Sequence, residues 1–253
     1  MSHTTSRQLR LGLFVQPLGH HVSGWRLTET LGSPTDIEWL TWIAKKAEEG
    51  KFDMFFIGDA LATSVYRLPS TMARLEPLTL LAALAVQTRH IGLAATASTT
   101  FSDPFNLARS FSSLDHISRG RAAWNVVTSF SGDVARNFSR ENMPLHAERY
   151  AVAHEFLEVT CKLWEGWQEG AVQPDKASGR YFVDEKIQAV NHRGKYFQVQ
   201  GPLNITRSPQ GRPVIIAAGS SADGQKLAAR TAEGVFTAAA TLEEAQAFYR
   251  AQK

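Results

Sequence analysis

Cysteine is nearly absent: one residue, Cys161, in 253. No internal disulfide framework can form, and a lone thiol suits a reducing compartment. Long apolar runs are also missing, since no stretch reaches the ~18 residues a membrane span needs. The opening MSHTTSRQLR has none of the apolar core of a secretory leader. A cytoplasmic globular protein is the expectation, with no membrane contact. Neither sign of charge dominates: the net charge is +3 and the basic residues are scattered. A nucleic-acid partner gains no support from that balance. No Gly-x-Gly-x-x-Gly follows the first apolar run, which counts against a dinucleotide-binding sheet. Without a Gly-x-Ser-x-Gly elbow, a Walker loop or a Cys-x-x-Cys, nucleophilic and nucleotide hydrolysis have no footing. No metal is expected, because His20 and His21 are adjacent and His146 and His154 lie two turns apart with no partner at ligand spacing.

What the chain does have is alternation. Short apolar runs of strand length cover residues 9–15, 52–57, 91–95, 122–127, 213–217 and 234–237. Between them lie helical patterns over 36–49, 75–89, from Asp103-Pro104 onward, about 147–167, 225–231 and 242–250. The runs are apolar throughout rather than every second residue, as strands covered on both faces should be. Strand–helix alternation argues for parallel βα units with right-handed crossovers. Six units are countable. The fold class expected is therefore α/β, a TIM-like (β/α)8 barrel incomplete after about six units, with an open doubly wound sheet as the alternative. One domain over 1–253 is expected, with an insertion at about 168–212. That insertion should hold a hairpin, IQAV-NHRG-KYFQV, turning at Asn191 to Gly194.

The chain is organised around residues 120–129, GRAAWNVVTS. A buried strand ends there in Thr128 and Ser129, and some twenty residues without apolar period follow before the next helix. In a barrel, polar residues just after the strands converge on one rim. Those residues are Asp59, Thr96, Ser98, Asn125, Thr128, His146, Tyr150, Ser220 and Ser221. His146 and Tyr150, four apart, share one helix face. Ser220-Ser221, after Gly219 and ahead of a helix, can serve either as a phosphate cradle or as an ordinary N-cap. Cys161 falls inside a helical pattern and reads as an inert buried thiol.

Several blocks resemble one family. GRAAWNVVTS, ARNFS, LHAERYAVAHEFLEVTCKLWEGW, the stretch from HRGKYFQVQ to GSSADGQKLAA and the early FFIGDA are similar, in order, to the bacterial-luciferase-like flavin monooxygenases. The branch is that of the nitrilotriacetate, EDTA, dibenzothiophene-sulfone and S-substituted N-acetylcysteine enzymes. The resemblance implies a (β/α)8 barrel that takes reduced FMN from a separate flavin reductase and uses O2 to oxygenate a small organic substrate. It places FMN contacts on Asp59, Thr96, His146, Tyr150 and Ser220, with Ser221, Asn125 and Ser98 beside them. His146 would be the catalytic residue, orienting the flavin. The loop from His20 to Arg26 and the insertion would shape the substrate pocket. A homo-oligomer is implied. A deazaflavin (F420)-dependent dehydrogenase, or a flavin-binding subunit without activity, are the competing readings. Family members are longer, so a fragment, a shortened product or completion by another chain is expected.

Overall fold

The computed structural model describes residues 8–63 and 69–252. In chain order the strands are β1 (Gly12–Val15), β2 (Met54–Ile57), β3 (Gly92–Ser98), β4 (Ala122–Val127), β5 (Val172–Asp175), β6 (Arg180–Phe182), β7 (His192–Arg193), β8 (Gln198–Val199), β9 (Val214–Ala218) and β10 (Gly234–Phe236). The helices are α1 (Ile37–Glu49), α2 (Pro69–Met72), α3 (Pro77–Ala85), α4 (Pro104–Ser118), α5 (Gly132–Asn137), α6 (His146–Glu165), α7 (Ala222–Thr231) and α8 (Leu242–Ala251).

Helix starts are set by local chemistry. Asp36 caps α1 by accepting from the N–H groups of Glu38 and Trp39, and Glu76 caps α3 by accepting from Leu78 and Thr79. Asp103 does the same for α4 through Asn106, and Pro77 and Pro104 occupy first-turn positions where no N–H is needed. After α4 the chain reverses through Arg119 and Gly120, both at positive φ. Gly120 tolerates this freely, which is why the turn into β4 falls there.

The main sheet is parallel, in the order β1-β2-β3-β4-β9-β10. Successive side chains along each strand point to opposite faces. On one face Phe55, Leu93, Trp124 and Ile215 meet the helices, joining Leu40, Leu81, Phe111, Phe156 and Leu163 in one core. Trp124 lies at its centre, against Phe111, Phe156 and Trp164, with ring centroids 5.6, 5.9 and 6.3 Å away. Its indole N–H is satisfied by Ala97 O at 3.1 Å. On the other face Phe56, Ala94, Ala123 and Ile216 form a separate inner cluster.

The inner face decides the architecture. Phe14 of β1 and Phe236 of β10 sit at opposite edges of the hydrogen-bonded order, yet their rings meet edge to face at 5.6 Å. Phe56 touches both. The sheet therefore curls as the arc of a TIM-type barrel, and the open doubly wound alternative is excluded.

Three expectations are corrected. The helix over 75–89 is shorter, Pro77–Ala85, and the polar excursion after β4 contains α5, which starts where Ser131 accepts from Asp133 N. The hairpin near 190 turns later than Asn191 to Gly194. His192 pairs with Val199 and Arg193 with Gln198, so the turn falls on residues 194–197. The cause lies outside the hairpin. The Glu155 carboxylate on α6 accepts the N–H groups of Tyr196 and Phe197 and bonds His192 Nε2 at 3.2 Å. A second hairpin, β5–β6, precedes it. Among the described residues, no helix is long and apolar enough to cross a membrane.

Candidate active site

Four segments meet at the carboxyl ends of the strands. Asp59 follows β2, the run from Thr128 to Ser131 follows β4, and Gly219, Ser220 and Ser221 follow β9. The first turn of α6 brings His146, Arg149 and Tyr150. Together with Leu61, Phe130 and Val134 they enclose a cavity of about 420 Å³, in the size range of cofactor sites. His146 is the first residue of α6, one position ahead of the expected start, so it shares the opening turn with Arg149 and Tyr150.

The β9–α7 connection is built for close approach. Ser221 caps α7, its Oγ accepting from Gly224 N at 3.1 Å, and lies 3.4 Å from the Tyr150 hydroxyl. A Cβ at Gly224 would come within 3.0 Å of that phenol oxygen and 3.2 Å of Ser221 Oγ. A glycine in the first turn is thus what lets Tyr150 reach the helix end. The first-turn N–H groups of α7 lack intrahelical acceptors and carry the positive end of the helix dipole, which suits an anion. One group opposes this. Asp223 sits in the same turn, but its Oδ2 is paired with His146 Nδ1 at 3.2 Å. The His146 and Tyr150 rings lie 4.8 Å apart.

Asp59 is half-buried, and burial pushes its carboxyl up from the ordinary aspartate range, against the Ala60 N–H donated to Oδ1. It is therefore suited to hold a proton or hydrogen-bond a neutral polar group. Cys161 is off this rim, and burial raises its thiol, which makes it a poor nucleophile.

Of the eight residues expected around a cofactor, Asp59, His146, Tyr150, Ser220 and Ser221 line this one cavity. Thr96, Ser98 and Asn125 do not. They are buried on the inner sheet face, where Asn125 Nδ2 donates to Thr96 Oγ1 at 2.9 Å, while Ser98 Oγ bonds Ser129 Oγ at 2.9 Å. Their place is behind the wall, and Ser98 supports Ser129, a wall residue held at a positive φ. Asn125 Oδ1 is sealed off without a partner, a buried acceptor that the fold itself does not satisfy. The loop from His20 to Arg26 and the insertion do not line the cavity. The sequence reading missed Arg149, Asp223 and Gly224. The signals were present: an arginine beside Tyr150 in the His-x-x-Arg-Tyr turn, and Asp-Gly two residues after the paired serines.

The profile of the luciferase-like monooxygenases matches residues 18–252. Among curated proteins, the N-acetyl-S-(2-succino)cysteine monooxygenase of Bacillus subtilis (strain 168) is 50% identical over 98% of this chain and 56% of its own length. Nitrilotriacetate monooxygenase component A of Aminobacter aminovorans is 47% identical over 96% of this chain and 57% of its own. Among solved structures, riboflavin lyase with modified FMN and riboflavin superimposes with a TM-score of 0.84 at 32% identity, covering 97% of this chain and 58% of that one. The chain thus spans a little over half the length of these relatives. With a match across nearly its whole length and half its residues identical to a curated relative, this chain belongs to the luciferase-like monooxygenase family.

Proposed function

We propose that the cavity holds reduced FMN and that the protein is the oxygenase of a two-component flavin monooxygenase acting on a small organic molecule with O2. The observation that carries this is the junction of Tyr150, Ser221 and Gly224 at the start of α7, a preformed anion seat beside a cavity of cofactor size. Bound reduced flavin supplies the oxygen-activating chemistry. The chain's own residues bind and orient. Ser220, Ser221, the Tyr150 hydroxyl and the α7 N–H groups take the phosphate. Asp59, with its raised carboxyl, meets polar ribityl or ring atoms. His146, beside Asp223, presents its imidazole to the cavity as a group that can orient the ligand or relay a proton. Leu61, Phe130 and Val134 give the cavity an apolar side. Asn125 and Thr96, behind the wall, bond each other and stay off the cavity surface.

A separate flavin reductase is the partner that fits, in keeping with a relative named as component A. Relatives named for N-acetyl-S-(2-succino)cysteine and for nitrilotriacetate support a small organic substrate that carries a thioether or an amine. Anaerobic titration of the protein with reduced FMN, followed by fluorescence quenching, tests the reading directly. Micromolar binding that weakens at least ten-fold in Ser220→Ala plus Tyr150→Phe is expected. Binding of reduced F420 in preference to reduced FMN would overturn it. Oxygen uptake with reductase, NADH, FMN and a panel of thioethers and tertiary amines then reads the activity.

A further inference from the structure

A second, smaller cavity of about 210 Å³ adjoins the first, walled by Thr99, Thr100 and Ser102 after β3, Arg140 and Pro144 before α6, Glu148 and Arg149 in its first turns, and the hairpin residues Tyr196 and Phe197. Arg149 lines both cavities. The two also meet where Thr100 Oγ1 donates to Thr128 O at 2.6 Å, since Thr100 belongs to the smaller wall and Thr128 to the larger.

Its charge is lopsided. Arg149 Nη1 donates to Pro144 O at 2.8 Å, which fixes the plane of the guanidinium, while its Nε is sealed from solvent without an acceptor. Arg140 is held from two sides. Its backbone N–H donates to Ala135 O at 3.0 Å, and its guanidinium carbon lies 5.7 Å from the Phe101 ring centroid. Glu148 is the one acid in the wall, and Lys195, over the Tyr196 ring, stands near it. Two guanidinium groups against one carboxylate leave net positive charge in a small polar chamber. Thr99 and Thr100 spend their hydroxyl protons on Val127 O and Thr128 O, so the arginines and the Ser102 hydroxyl are among the donors left in the wall. Planar guanidinium forks match carboxylates two bonds at a time.

We propose that this second cavity is a subsite for a carboxylate arm of the organic substrate, gripped by Arg140 and Arg149, while the reacting part of the substrate stays in the larger cavity. The volume admits an arm the size of acetate or a succinyl end. The inference rests on the flavin reading only for what occupies the larger cavity. The subsite selects for acids: a neutral analogue would leave two guanidinium groups, of which Arg149 is partly buried, without a charged partner.

Isothermal titration with succinate as probe, succinamide as its uncharged control and inorganic phosphate as a competing anion tests it. Succinate is expected to bind the wild-type chain at least ten-fold more tightly than succinamide. Arg140→Gln should weaken succinate at least ten-fold, with phosphate and reduced FMN affinities within two-fold of wild type, and Arg140→Lys should recover part of the loss. Arg140 is exposed, so an unchanged circular dichroism spectrum is expected of both variants. Unchanged succinate affinity in Arg140→Gln, or equal binding of succinamide, overturns the subsite. Competitive displacement of succinate by reduced FMN overturns it too, by giving the arginines to the flavin phosphate. Arg140-dependent succinate binding in a chain that fails to bind reduced FMN would instead sink the flavin reading and leave the anion subsite standing.

Discussion

The Tyr150 hydroxyl on α6 and the Ser221 hydroxyl that caps α7 lie 3.4 Å apart, and Gly224 leaves the space that permits it. Two helices from distant parts of the chain thereby present hydroxyls and free N–H groups at one point. Tyr150→Phe removes one donor and should weaken reduced-FMN binding by about ten-fold, the worth of roughly one hydrogen bond to a charged group. Gly224→Ala should do the same without touching any ligand-facing polar group, because its Cβ pushes the phenol aside. Equal affinity in all three proteins, measured by anaerobic quenching, would remove Tyr150 from the site.

Gly194 faces the Glu155 carboxylate so closely that a Cβ there would collide with Oε1 and with the His192 ring. Gly194→Ala should therefore displace the β7–β8 hairpin from α6 and destabilise the protein by roughly 1–3 kcal/mol. Urea unfolding gives the stability. Faster amide exchange at Tyr196 and Phe197, against unchanged exchange in β3 and β4, separates hairpin release from global loosening.

Acid should act on the same contact. Burial alone would raise the Glu155 carboxyl, but the Phe197 N–H, His192 and the Tyr196 N–H outweigh it and hold it below the ordinary glutamate value. Glu48 follows the same pattern: burial opposes, while the N–H groups of His90, Ile91 and Arg89 prevail. For a carboxyl depressed in the folded state, the stabilisation is present above the unfolded value of about 4.3 and is lost as pH falls through the lower folded value. Stability should be flat in this respect above about pH 5 and fall below pH 4. Glu155→Gln should show a shallower acid slope than wild type; parallel slopes would show that Glu155 contributes nothing to it.

Asp115 is fully buried and accepts from Ala122 N, Gln210 N and Gln210 Nε2, joining α4, β4 and the end of the insertion. Asp115→Ala strands those donors and should cost roughly 2–4 kcal/mol. Since the contact lies at the amino end of β4, away from the rim, reduced-FMN affinity of the folded variant should stay within two-fold. A large loss of flavin affinity at full folding would contradict that separation.

Trp124 fills the centre of the outer core. Trp124→Ala should destabilise by roughly 3–5 kcal/mol, and Trp124→Phe by less, at the price of leaving Ala97 O without its indole donor. Thermal unfolding followed by near-ultraviolet circular dichroism reads both.

How much of this was legible varies by residue. The strands could be read because parallel strands are buried on both faces, so Ala122 to Val127 is apolar without a break in phase except Asn125. Asp59, Ser220 and Ser221 could be read because a residue just past a buried strand must lie at the rim. Asn125, Thr96 and Ser98 carried the same signal, but the inner face of the curl hides them behind Ser129 and the cavity wall. The hairpin turn was misjudged because Asn191 and Gly194 are good turn residues locally, while the register is set by a carboxylate some 40 positions earlier.

The sequence by itself determined the alternation of buried strands and amphipathic helices, the capped helix starts and the polar strand ends, since periodicity and capping act over a few residues. Only the tertiary structure decided the curl, because Phe14 and Phe236 must meet across the interior to reveal it. It also decided that Arg149, Asp223 and Gly224 share a site with Tyr150, for side-chain chemistry is local but the distances between side chains are fixed by packing.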